Sequence, residues 1–183
     1  MMILAVRPSI VAPVADRRPY AGGVAKTYRI CLVCMGNICR SPMAEVVLRT
    51  ELAEAGLGGA IEVDSAGTGN WHEGEPMDPR AQEALAGRGY DGSRHRARQF
   101  DPAWFADRDL VLAMDEANLA NLRDQAPDSE TAARVRLFRS YDPSADPGAT
   151  VPDPYFGGGD GFEQVLDLIE SAAKSIVVNL DRG

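Results

Sequence analysis

From Thr27 onward the chain alternates short β-prone runs with stretches of helical spacing, and this alternation constrains the fold more than any other feature. Tyr28-Arg29-Ile30-Cys31-Leu32-Val33 is a short, mostly apolar run. A loop from Cys34 to Ser41 follows at once, and then Met43, Ala44, Val46, Val47, Leu48 and Leu52 recur at helical spacing up to Gly56. Ser41 suits the N-cap and Pro42 the first helical position. A second strand is expected at 61–65, ending at Ala66-Gly67-Thr68-Gly69. Asp78-Pro79 opens a helix that runs through Leu85 and stops at Gly87 and Gly89. Residues 110–114 form a fully apolar strand, Asp115 caps a helix carrying Leu119 and Leu122, and 134–138 is the last strand. Leu166, Ile169, Ala173 and Ile176 stripe a closing amphipathic helix. Strands alternating with helices imply an α/β fold: a parallel sheet covered on both faces, with ligands bound in loops at the carboxyl ends of its strands.

The 183 residues suit one domain with a substantial core. With 27 acidic and 19 basic residues the net charge is −8, which argues against a general nucleic-acid binder, so any anion must be held by a local site. No apolar run reaches membrane-spanning length. The three cysteines, Cys31, Cys34 and Cys39, lie within nine residues of one another, which suits reactive thiols in a reducing cytoplasm better than a disulfide framework. Residues 1–26 lack periodicity and read as a tail. No export signal is expected there, because the start is not basic and Arg7, Pro8 and Pro13 interrupt it. Lysine occurs only at positions 26 and 174, leaving 17 arginines; this bias suggests GC-rich coding and an initiator at Val24.

Cys34-x5-Arg40-Ser41 sits where a strand turns into a helix. Five intervening residues are enough to curl several N–H groups onto one point, and the helix N-terminus adds partial positive charge. Gly36 allows close backbone approach, and Asn37 tolerates a left-handed conformation. Arg40 supplies a planar fork for two phosphate oxygens. The same field favours the thiolate of Cys34, and Ser41 can donate a hydrogen bond to it. In-line attack on phosphorus then gives a phosphocysteine. A carboxylic acid must protonate the leaving oxygen, and Asp153 in the Pro/Gly-rich stretch 151–159 is the candidate.

Six segments, VCMGNICRSPMAE at 33–45, SAGTGNW at 65–71, DPR at 78–80, HRARQF at 95–100, MD at 114–115 and DPYF at 153–156, resemble the low-molecular-weight protein tyrosine phosphatases over residues 27–180. The resemblance implies a flavodoxin-like four-stranded parallel sheet, a phosphatase domain at 27–183, no cofactor and no metal. It implies Cys34 as nucleophile, Arg40 as phosphate clamp and Asp153 as general acid, with Met35, Gly36, Asn37, Ile38, Cys39 and Arg40 around the phosphate. Asn37, Ser41, Ser65 and His95 match the network that supports the loop, and Asp115 matches the carboxylate that orients Arg40. Ile38, Trp71 and Tyr155 match the walls of the aromatic slot, and Cys39 matches a thiol that traps oxidised Cys34 as a reversible disulfide. Implied partners are phosphotyrosine proteins or peptides and a cognate tyrosine kinase, with neither nucleic acid nor membrane; a monomer or weak dimer is expected. Ile38 stands where phosphoarginine-preferring relatives carry Thr, and Phe156 stands where the family often has a second tyrosine.

Other readings explain fewer residues. Cys31-x2-Cys34 suggests half a zinc site, but His72 and His95 are 23 residues apart, and Cys31 suits a buried core thiol. An arsenate reductase would need cysteines after Cys39, and a Cys–His hydrolase would have no use for Arg40. A non-catalytic phosphate-binding module would be expected to lose Cys34 or Asp153. Arg94, Arg96 and Arg98 form a basic patch expected to attract acidic phosphopeptides despite the overall charge.

Overall fold

The computed structural model describes residues 26–158 and 160–181. Most of the tail, with the expected Val24 start, therefore lies outside the described residues. Strands β1 (Tyr28–Cys34), β2 (Ile61–Gly67), β3 (Leu110–Ala113) and β4 (Val135–Leu137) form one parallel sheet in the order β2-β1-β3-β4. Helices α1 (Arg40–Glu54), α2 (Pro79–Gly87), α3 (Glu116–Gln125), α4 (Ser129–Ala133) and α5 (Asp160–Asp181) connect and cover it.

Strand alternation sends side chains to two cores. Ile30, Leu32 and Cys34 of β1 enter the larger one with α1, α2 and α5, whereas Cys31 and Val33 enter the smaller one with Leu119 and Leu122 of α3. Each fully buried Leu or Ile contributes about 1.5–3 kcal/mol to this packing. Cys31 and Cys34 consequently lie on opposite faces of the sheet and cannot share a metal. Cys31 is fully buried, and its thiol is pushed up by desolvation and then by Asp64, as an inert core residue would be.

The chain leaves β1 toward β2 on one side and later returns to place β3 on the other. The end of β1 is thus the switch point where an open parallel sheet leaves a crevice, and Cys34 is its last residue. Asp78 caps α2 through the Arg80 amide, and Asp115 caps α3 through the Asn118 amide, both as the sequence suggests. Helix α1 departs from expectation: it begins at Arg40, its N-cap is Cys39, and no side chain caps it. Helix α4 and the 3-10 turns Pro102–Ala106 and Phe138–Tyr141 were not anticipated, being too short to show a period.

Candidate active site

The segment between β1 and α1 curls over the end of the sheet and is held by hydrogen bonds from outside itself. The Thr68 amide donates to the Cys34 carbonyl (2.9 Å), the Gly69 amide to Met35 (3.0 Å) and the Asp78 amide to Ile38 (2.9 Å). Asn37 is the pivot. It is the only non-glycine with positive φ among the described residues (56°), and it is fully buried. Its Nδ2 donates to Ser41 Oγ and Ser65 Oγ, both at 2.9 Å, while its Oδ1 accepts from the Arg98 amide (3.0 Å). His95 Nε2 lies 2.7 Å from the Asn37 carbonyl, so that nitrogen carries the proton. Ser65 in turn donates to Glu45 (2.5 Å). Gly67 is required by close approach: a Cβ there would lie 2.7 Å from the Met35 carbonyl oxygen.

Inside the curl, Cys34 Sγ is 3.0 Å from Ser41 Oγ and accepts from the Asn37 amide at 3.3 Å. Ser41 Oγ is also 3.2 Å from the Ala66 carbonyl, so its single proton serves either that carbonyl or the sulfur. This is why Ser41 does not cap α1: its oxygen is turned to the thiol and to Asn37. The amides of Gly36, Ile38 and Cys39 donate to no protein acceptor among the described residues, and they sit at the start of α1, where orphan donors gather.

Arg40 is buried. Its Nη1 donates to Asp115 Oδ2 (2.6 Å) and to the Val151 carbonyl (3.0 Å), and its Nη2 reaches Asp153 Oδ2 (3.3 Å). A guanidinium with three such partners has one orientation, and its cation is aimed at the cavity holding Cys34. That cavity measures about 230 Å³ and includes Ile38, Arg40, Trp71, Asp153 and Tyr155. Trp71, carried in a polar loop beside Gly69 and His72, is 68% exposed, its ring covering Gly69 at the cavity mouth. Cys39 faces the same cavity, and its thiol is pushed up by burial first and by Asp78 next, which keeps it protonated beside Cys34.

The sequence pattern of the family described as low molecular weight phosphotyrosine protein phosphatase matches residues 29–183. A low molecular weight protein-tyrosine-phosphatase of Streptomyces coelicolor is 55% identical over 152 residues, covering 82% of this chain and 92% of the relative. The chain belongs to this family. Low molecular weight protein-tyrosine phosphatase A of Mycobacterium tuberculosis is 46% identical over 144 residues, covering 78% of this chain and 85% of the relative. A crystal structure of a protein tyrosine phosphatase from Entamoeba histolytica, with Hepes in its active site, superposes with a TM-score of 0.81 at 32% identity, covering 86% of this chain and 99% of that one. The four-stranded parallel sheet is that of the low molecular weight phosphatases, a flavodoxin-like arrangement.

Several residues of this phosphatase's site escaped sequence reading. His72 lines the cavity beside Gly36 and pairs with Glu75 at 2.7 Å. Glu45 ends the Ser65 chain, and its place one turn after Ser41 on α1 was the available signal. Arg98 is not a free member of the basic patch, since it bonds the Ser65 carbonyl and Asp64 and stacks on Trp104. Arg80 is a strut. It grips both oxygens of Asp78, whose amide holds Ile38, and it donates to the Tyr155 carbonyl (3.1 Å) while lying over the rings of Tyr155 and Phe162.

Arg80 thereby ties the loop at Cys34 to the loop at Asp153, and Arg80→Ala is expected to lower kcat on a phosphotyrosine peptide about tenfold by misplacing the second loop. Arg80→Lys recovers only part of that, because one ammonium cannot replace the fork. The Asp78 carboxyl is held below its ordinary range by the Arg80 side chain first, against the upward pull of burial. A lowered folded value adds stability that is full above the unfolded carboxyl's pKa of about 3.9 and is lost as pH falls through the folded value. The wild type's advantage over Arg80→Ala in urea denaturation should therefore be full at pH 7 and shrink below about pH 4.

Proposed function

We propose that the chain hydrolyses phosphotyrosine in proteins and peptides through a phosphocysteine on Cys34, without metal. The observation that carries the reading is the meeting of Cys34, the loop amides, Arg40 and Asp153 around one cavity. The thiolate attacks phosphorus, and the bond to the tyrosyl oxygen breaks as Asp153 delivers its proton to that oxygen. Arg40 moves its Nη2 bond from Asp153 to a phosphoryl oxygen, and the loop amides take the others. Water then attacks the phosphocysteine, Asp153 accepts its proton, and the sulfur leaves with Ser41 Oγ donating to it. Asn37, Ser65 and His95 keep the loop curled, and Asp115 keeps Arg40 aimed. Ile38, Trp71 and Tyr155 receive the aromatic ring, with phosphotyrosine proteins and a cognate tyrosine kinase as partners in the cytoplasm. Under peroxide, Cys34 becomes a sulfenic acid, and Cys39 condenses with it, releasing water and protecting the nucleophile as a disulfide.

The test is hydrolysis in the presence of a chelator, across pH, of phosphotyrosine, phosphoserine and phosphoarginine peptides. Wild-type turnover should be confined to phosphotyrosine. Asp153→Ala should lose about 10²–10³ in kcat on the peptide and much less on p-nitrophenyl phosphate, whose leaving group needs no proton. Turnover of phosphoarginine instead would overturn the roles of Ile38 and Trp71, and no turnover at all would favour a phosphate-binding module.

A further inference from the structure

A second cavity, about 460 Å³, lies between α1 and the loop 91–98 and shares no lining residue with the one at Cys34. Four arginines line it, Arg49, Arg94, Arg96 and Arg98, against two carboxylates, Glu45 and Asp91. This excess of positive charge stands out in a chain of net charge −8. Both carboxylates are engaged: Glu45 by Arg49 (3.2 Å) and Ser65 (2.5 Å), Asp91 by the Ser93 amide (2.9 Å). Arg98 is paired with Asp64, a carboxylate it shares with Arg108. The other arginines retain donors. Arg96 meets only the carbonyls of Ser93 and His95, and Arg94 makes no hydrogen bond or ion pair among the described residues, only a through-space attraction to Asp91, so both keep donors for an anion. Ser65 and His95, which hold Asn37 from outside the loop, form part of the lining.

We propose that this cavity is a second oxyanion site, taking a phosphate group on the Arg94 and Arg96 guanidinium forks. Charge-assisted bonds from planar forks suit a phosphate dianion, and the cavity is roomy enough for one. The shared chemistry is the phosphate group, supplied either by free orthophosphate, which phosphatase turnover releases, or by a phosphorylated residue on a protein chain. Because the His95 Nε2 proton is committed to the Asn37 carbonyl, an anion beside His95 acts on the same hydrogen bond that supports the catalytic loop.

The measurement is equilibrium dialysis of the full chain at low ionic strength, where screening is weak, with radiolabelled orthophosphate and, separately, with a phosphoserine peptide. The quantity read is the difference in plateau stoichiometry between wild type and Arg94→Glu/Arg96→Glu. These positions are exposed, so the variant is expected to fold. A difference of about one equivalent supports the site; with orthophosphate alone it identifies the free ion, and with the peptide alone it identifies phosphate carried on a chain. Arg40→Ala, which weakens the site at Cys34, should keep that equivalent, and phosphate should then still shift the His95 ring signals in NMR spectra. No difference for either probe overturns the proposal. Failure of the tyrosine phosphatase reading would appear as absent turnover and would leave this stoichiometry unchanged.

Discussion

Cys34→Ser is expected to abolish turnover of a phosphotyrosine peptide, with a loss on the order of 10⁶ in kcat, or about 8 kcal/mol of barrier. The reason is chemical, not structural. Serine fits the space, and its oxygen can still meet Ser41 Oγ and the Asn37 amide, so the fold should survive. A hydroxyl is intrinsically far less acidic than a thiol and its neutral form is a poor nucleophile, so serine leaves the attack on phosphorus without an effective anion. Phosphate binding should persist, because Arg40 and the amides are untouched. Stopped turnover with retained orthophosphate affinity, measured by calorimetry, is the expected pair of results. Appreciable turnover by this variant would sink the covalent mechanism.

The second large effect is expected at Arg40. Arg40→Lys keeps a positive charge, but one ammonium cannot serve Asp115, the Val151 carbonyl and a phosphoryl oxygen together. Interactions that stabilise transferring phosphoryl charge are worth about 10³–10⁵ in kcat elsewhere, and a loss of about 10³ is expected, together with weaker binding of orthophosphate. Stability should fall as well. Breaking a fully buried pair costs about 3–5 kcal/mol. Here the carboxylate side chains are 29% and 34% exposed, so water rescues them in part, and a loss of about 2 kcal/mol is expected in urea denaturation. A variant that loses stability but keeps its kcat would show that Arg40 braces the two loops without touching the transition state.

Most of what the site needs near Cys34 is legible in one stretch of sequence. A β-prone run, a seven-residue Cys-to-Arg segment and a helical period place thiol, amides and guanidinium together by local geometry, because a strand leading directly into a helix leaves the chain few other paths. The parallel class of the sheet follows equally from alternation of strand and helix patterns. Of the two roles read for Ser41, the hydrogen bond to the thiol is found and the helix cap is not: capping preference is a local rule, and the thiol, Asn37 and the Ala66 carbonyl outcompeted it. For Trp71, ring size argues for burial, but its place in a polar loop beside Gly69 and His72 argues for exposure, and it stands at the cavity mouth.

Everything that surrounds that stretch comes from far along the chain. Asp115 and Asp153 meet Arg40 across 75 and 113 residues, and His95 and Arg98 meet Asn37 across 58 and 61. Local pattern marked Asp115 only as a helix cap, and only the resemblance to known phosphatases gave it a role toward Arg40 and singled out His95. Their place is set by the strand order β2-β1-β3-β4, which brings the segments after β2, β3 and β4 to the same end of the sheet as Cys34. The sequence by itself determined a tightly curled loop between a strand and a helix, with its amides gathered at the helix start, because propensity and helix-terminal geometry act within a few residues. Tertiary structure alone decided which carboxylates aim the guanidinium, which side chains brace Asn37 and where the second cluster of arginines gathers, because those depend on packing between segments distant in sequence.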